Sequence, residues 1–134
     1  MEARVTWVED RRFVGQGSSG HALVVDGSAD KLGPSPMELV LIGMAGCTAY
    51  DVLSILEKKR QAVTGLEVRA EAKRAETPPR VYTEIDVTYI VRGRDIKPKA
   101  VEDAIRLSEE KYCSASIMLG KTARITTHYR IEEE

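Results

Sequence analysis

The side chains in this sequence with the greatest capacity for chemistry are two thiols, Cys47 and Cys113, 66 positions apart. A thiol becomes a nucleophile when it ionises, and a second thiol within reach can trap the oxidised first one as a disulfide. On spacing alone the more frequent fate of an unpaired cysteine is packing as a small hydrophobe, and a redox pair is the alternative. There is no C-x-x-C, and His21 and His128 stand at no ligand spacing from either cysteine, so no metal is expected and no cofactor is called for. The histidines fall on strands and are expected at the surface. Of the charged residues nearby in pattern, Asp51 lies one helical turn beyond Cys47. There it would either be solvated or, if both groups were buried, raise the thiol pKa. Glu38 has the spacing of a capping carboxylate, and Arg11 and Arg12 read as turn residues in water.

The elements that must carry these residues follow from hydrophobic period and punctuation. Met1 to Val8 alternates as a strand, Glu9 to Arg12 turns, and Phe13 to Gln16 and His21 to Val25 are two further short strands, the last closed by Asp26-Gly27. Ser35-Pro36-Met37-Glu38 is a helix start: Ser35 at the N-cap, Pro36 at the first helical position, Glu38 reaching back. That helix is expected to run to about Arg60, about 35–40 Å, apolar on every side from Leu39 to Ala49 and so buried all round there. Gly43 and Gly46 would admit another backbone. Cys47 sits inside this segment. Leu66–Ala72 and Val81–Val91 alternate as a hairpin half-exposed to water, the second with Val81, Thr83, Ile85, Val87, Tyr89 and Val91 on one face. Pro98 opens a second helix with Val101, Ile105, Ser108 and Tyr112 inward. Cys113 ends it, Ser114–Leu119 is a helical turn stopped by Gly120, and Ala123–Ile131 is a last strand. Cys113 near the start of that turn would have its thiolate favoured by free N–H groups. The fold class is α+β with largely antiparallel sheets, in one domain spanning 1–134.

Composition narrows the function. With 134 residues, 43% hydrophobic and 31% charged, the chain fits one globular domain with its own core. A net charge of −1 without charge blocks argues against nucleic acid or an anionic membrane as partner, and Met37–Ala49 is too short and interrupted to span a bilayer. No leader pattern is seen, so a cytoplasmic location is the default, where a lasting structural disulfide is not expected. The absence of Asn, with abundant Lys, Arg and Glu, resembles thermophile usage; a melting midpoint in the ordinary mesophilic range would count against it.

Two segments carry a resemblance. Ser35-Pro36-Met37-Glu38-Leu39-Val40-Leu41-Ile42-Gly43-Met44-Ala45-Gly46-Cys47-Thr48-Ala49-Tyr50-Asp51-Val52 resembles the first cysteine motif of the OsmC / organic hydroperoxide resistance (Ohr) family, and Glu110-Lys111-Tyr112-Cys113-Ser114 resembles the second. The element order matches as well, and Ala3-Arg4-Val5-Thr6-Trp7-Val8-Glu9 is similar to the start of the YhfA-like branch. The resemblance implies an OsmC-like fold with antiparallel sheets around a long central helix, in an intertwined homodimer with its sites at the interface. It implies a thiol peroxidase in which Cys47 attacks an organic hydroperoxide and becomes a sulfenic acid, Cys113 condenses with it, and an external dithiol resets the pair. It also implies an arginine from the N-terminal region and a glutamate near the helix start that orient Cys47. Arg12, beside Arg11, and Glu38 are the residues assigned here, with Met37 rather than Glu38 ten positions before the cysteine. Two alternatives stand beside this reading: a non-catalytic dimeric protein that binds small molecules in an apolar pocket, and thiol chemistry other than peroxide reduction.

Overall fold

The computed structural model describes residues 1–134 as two compact units, Met1–Ile42 and Gly43–Glu134. In the first, β1 (Ala3–Glu9), β2 (Arg12–Gly17) and β3 (Ala22–Asp26) form an antiparallel sheet in that order. The β1–β2 connection is tight, with Asp10 at φ 45°, a left-handed conformation that aspartate tolerates better than most residues. Asp26 ends β3 completely buried.

The long helix α1 (Pro36–Lys58) begins in the first unit and continues into the second. Ser35 caps its start as the sequence predicts, the Glu38 N–H donating to Ser35 Oγ at 3.3 Å, which satisfies one of the free amides of the first turn; the expected return bond to the Glu38 carboxylate is not formed. At 23 residues it is about 35 Å long. The expectation that its first half is buried all round is not met within one chain. Only Met44, Thr48, Val52 and Leu56 are fully buried, a single stripe at four-residue spacing, while Ile42 is 59% and Tyr50 74% exposed. Nor does another backbone of the chain approach Gly43 or Gly46, beside which a Cβ would stand in open space. By length and apolar content the whole helix could cross a membrane, which the sequence reading, stopping at Ala49, did not allow. Its stripe from Met44 to Leu56 is nevertheless core of the second unit.

The second unit's sheet has the order β4–β5–β6, from Ala62–Arg74, Tyr82–Arg94 and Arg124–Glu133. The predicted hairpin is β4 and β5, antiparallel from Ala62↔Arg94 to Arg74↔Tyr82. Ile85, Val87, Tyr89 and Val91 are buried on one face as expected, but Thr83 is exposed and Ile90 is buried from the other side. At Gly93 a Cβ would strike the Ala62 carbonyl, so glycine is required where β4 begins. The last strand departs from the antiparallel expectation. β6 pairs with β5 in parallel, from Glu84↔Arg124 to Gly93↔Glu133. A parallel partner needs a long crossover, and that crossover is helical: α2 (Pro98–Leu107), a π-helical turn Ser108–Tyr112 and α3 (Ser114–Leu119). Val101, Ala104, Ile105 and Ser108 point inward, whereas Tyr112 is 51% exposed, because the π turn advances fewer degrees per residue and breaks the helical repeat.

Candidate thiol site

α1 presents Cys47 and, one turn on, Asp51; the junction between the π turn and α3 presents Cys113. Their Sγ, carboxylate and Sγ atoms all lie within 4.8 Å of one another. Residues 66 positions apart in sequence therefore meet in one chain, as a redox pair requires. The two thiols differ in access: Cys47 is partly exposed and Cys113 is fully buried. The three donors make a thiol–carboxylate group.

Cys113 is the N-cap of α3, and its Sγ accepts the Ser116 N–H at 3.3 Å. From the sequence, such a position is expected to favour thiolate. The geometry is as expected and the outcome is opposite: burial pushes the thiol up to about 11, more than the Ser116 contacts offset, and Cys47 close by pushes the same way. The sulfur also lies 4.0 Å from the Met44 carbonyl, which a thiol can approach as a weak donor and a thiolate cannot. Cys113 rests as a protonated thiol.

A buried polar chain leads away from this site. Ser108 Oγ donates to Asp51 Oδ2 at 3.1 Å. Ser108 Oγ and Thr48 Oγ1 are 2.7 Å apart, as are Thr48 Oγ1 and Tyr89 OH. Tyr89 OH stands 3.0 Å, and Ser116 Oγ 3.4 Å, from Glu109 Oε1. Thr48, Ser108 and Tyr89 are wholly inaccessible. Burial raises the pKa of Tyr89 and of Glu109, in each case as the leading cause. Sequence reasoning missed these residues as functional. A signal existed: Ser108 follows Val101 and Ile105 in an inward helical repeat, and Tyr89 stands between Val87 and Val91 on one strand face.

The other assigned residues belong to the first unit. Arg12 is no solvated turn residue: its side chain is 12% exposed, with Nε 3.0 Å from Asp26 Oδ2, Nη2 2.8 Å from Asp30 and Nη1 3.7 Å from Glu9. Asp26 also accepts the N–H groups of Leu32 at 2.6 Å and Ser28 at 2.8 Å, and with the guanidinium these hold its carboxyl far below the usual range. Glu38 is in the first turn of α1, where a carboxylate suits the helix dipole. His128 is surface-exposed as expected, bonded to Asp86 at 2.7 Å, and His21 is exposed just before β3.

These elements and this pair of cysteines define a class. The OsmC-like protein family matches residues 27–128. The chain is 48% identical to Protein YhfA of Escherichia coli K12 over 131 residues, 98% of each chain. A crystal structure of a hypothetical protein from Aquifex aeolicus VF5 superposes with a TM-score of 0.90 at 31% identity, covering 99% of this chain and 96% of that one. The organic hydroperoxide resistance protein OhrB of Bacillus subtilis shares the fold, with a TM-score of 0.66 at 15% identity over 97% and 98% of the two chains. The chain belongs to the OsmC-like family.

Proposed function

We propose that this protein is a thiol peroxidase acting on organic hydroperoxides, with Cys47 as the attacking and Cys113 as the resolving cysteine. The carrying observation is the meeting of an accessible and a buried sulfur with a carboxylate inside 4.8 Å. Exposure supports this order of events, since Cys47 is partly exposed and Cys113 is buried. The Cys47 sulfur attacks the peroxide, the S–O bond forms as O–O breaks, and the products are Cys47 sulfenic acid and an alcohol. The Cys113 thiol then attacks that sulfenic sulfur and water leaves. The thiol pair closes to an S–S length near 2.05 Å, which requires side-chain movement from the reduced geometry. An external dithiol exchanges with the disulfide and restores both thiols. The name of the Bacillus subtilis neighbour, organic hydroperoxide resistance protein, is in line with this substrate class.

Arg12 and Glu38 keep their place in this reading as the residues that orient the peroxide and Cys47. For Arg12 that role requires the guanidinium to be shared with, or released from, Asp26 and Asp30. The exposed apolar face of α1, with Val40, Ile42 and Leu53, is the surface by which two copies would pair into a homodimer. Light scattering at micromolar concentration tests that pairing, and a monomer overturns it. The reduced protein should consume cumene hydroperoxide in the presence of dithiol, and mild peroxide alone should remove two protons from its intact mass without adding oxygen. Turnover no higher than that of Cys47→Ser overturns the peroxidase.

A second reading rests on a different observation. Gly46, Ala49, Tyr50 and Leu53 of α1 and Val63–Leu66 of β4 line an open, mainly apolar groove of about 480 Å³. That is within the range of small-molecule sites and suits a binding protein whose cysteines serve packing. Sulfenic acid trapping at Cys47 in the wild type would remove this reading.

A further inference from the structure

The hydroxyl chain behind the cysteines contains a counting problem. From Asp51 to Glu109 there are four oxygen–oxygen contacts of 2.7–3.1 Å: Asp51–Ser108, Ser108–Thr48, Thr48–Tyr89 and Tyr89–Glu109. Ser108, Thr48 and Tyr89 bring one hydroxyl proton each. With both carboxyl ends ionised, three protons serve four contacts, and one pair of buried oxygens would face each other lone pair to lone pair. Adding Ser116, which contributes one more proton and one more contact to Glu109, leaves the same deficit. Bulk water cannot mend it at the three hydroxyls, because Thr48, Ser108 and Tyr89 are wholly inaccessible. A burial this complete makes an unpaired contact costly.

We propose that Glu109, Tyr89, Thr48 and Ser108 form a proton wire that ends on Asp51 beside the two cysteine sulfurs, and that in the resting protein Glu109 holds the one proton the hydroxyls lack. With that proton in place every contact is filled, and all donors point one way: Glu109 to Tyr89, to Thr48, to Ser108, to ionised Asp51. The surroundings place the proton at the Glu109 end. Burial already disfavours its charge, and Glu102 and Glu110 share the groove around it with only Arg106 as a fixed cation. Arg106 lies 3.4 Å from Asp103 and is partly neutralised there. His128 and Tyr129 face the groove from β6, and both are occupied, by Asp86 and Glu102. Asp51 has Ser108 as donor and the two thiols beside it.

The use of the wire rests on the peroxidase reading. Cys47 must lose a proton before it attacks, and the alkoxide leaving from the peroxide must gain one. Asp51 takes the thiol proton as Glu109 releases its own to the groove, and the three hydroxyls reverse direction. The S–O bond then forms and the O–O bond breaks, sulfur losing two electrons and the peroxide gaining them. A proton returning through Glu109 reaches the alkoxide from Asp51, and the wire is back at rest. Tyr89, Thr48 and Ser108 are positioning residues, since they act through Asp51.

The experiment needs no peroxide, so it can fail or succeed apart from turnover. Carboxyl-carbon NMR of the reduced wild type is expected to find Glu109 protonated at pH 7. Iodoacetamide labelling of Cys47 is then followed against pH in the wild type, Thr48→Val and Thr48→Ser. Loss of the hydroxyl in Thr48→Val should move the midpoint of the labelling profile by about half a pH unit or more, and Thr48→Ser, which keeps a hydroxyl, should restore it. An ionised Glu109 at pH 7 in the wild type overturns the wire without any variant. So does a Thr48→Val profile that superposes on the wild type. If Thr48→Val does not fold, Tyr89→Phe cuts the same wire one contact further on.

Discussion

Two buried polar clusters, one in each unit, have opposite electrostatic characters. At the end of β3, Asp26 is a full charge in a fully buried place, stabilised by the Leu32 and Ser28 N–H groups and by Arg12. Behind Cys47, four hydroxyls, the Cys113 thiol and two partly buried carboxyls, Asp51 and Glu109, are linked with no basic side chain among their hydrogen-bond partners. The first cluster surrounds its anion with donors and lowers its pKa; in the second, burial outweighs the hydrogen bonds to Glu109 and Cys113, and their pKa values rise. A satisfied ion pair of the first kind holds a loop in one place. A proton-rich, nearly neutral network of the second kind can move a proton with small rearrangements, which a thiol site needs and a loop anchor does not.

Cutting the charged cluster should have the largest effect. Asp26→Ala leaves the Arg12 guanidinium, mostly buried, without its main partner, and strands the Leu32 and Ser28 amides. Removing one member of a buried pair is far more damaging than removing both. The thermal midpoint is expected to fall by on the order of 10 °C or more, with amide protection lost first in β1, β2 and β3. A variant that melts like the wild type would mean the cluster is ornament and the comparison false.

The hydroxyl network should respond more mildly. Thr48→Val keeps the volume and removes one oxygen. Tyr89 and Ser108 each retain their carboxyl partner, so urea unfolding should report a loss of about 1–3 kcal/mol. A loss near that expected for Asp26→Ala would show the two clusters to be equally structural.

How far these clusters could be read in the sequence differs by residue. Cys47 and Cys113 were legible because the thiol is rare and its flanking motifs are long. The helix start at Ser35-Pro36 was legible because capping is a local rule, and Ser35 does cap the Glu38 amide. Arg12 reads in the sequence as a solvated turn residue, since its partner Asp26 lies 14 positions on and only the β2–β3 register, Arg12↔Asp26, brings them together. The network of Thr48, Tyr89 and Ser108 spans three elements, and no local rule couples a helix hydroxyl to a strand phenol. The direction of β6 was also invisible, because alternation marks a strand without giving the sense in which it pairs. The exposure of Ile42 and Tyr50 on α1 has the same origin: an apolar helix declares that it will be covered and leaves open by what.

The smallest effects lie in pH, and there the clusters should part in sign. Asp26, depressed in the folded state, contributes stability that is present above its ordinary value of 3.8 and lost as pH falls below it. Glu109, raised, contributes stability that is present below its ordinary 4.5 and lost as pH rises above it, so in the acid range the second cluster gains where the first one fails. Cys113 extends the same sign to alkali. Its contribution is complete below 9.0 and lost as pH climbs from there through about 11. Thermal midpoints of the reduced wild type and Cys113→Ser should therefore run parallel up to about pH 9 and converge or cross above it, because serine has no proton to lose in that range. Midpoints that stay parallel to pH 11 would mean that the buried thiol ionises as readily as a free one, and the site would have to be redrawn with a cation or an open channel beside Cys113.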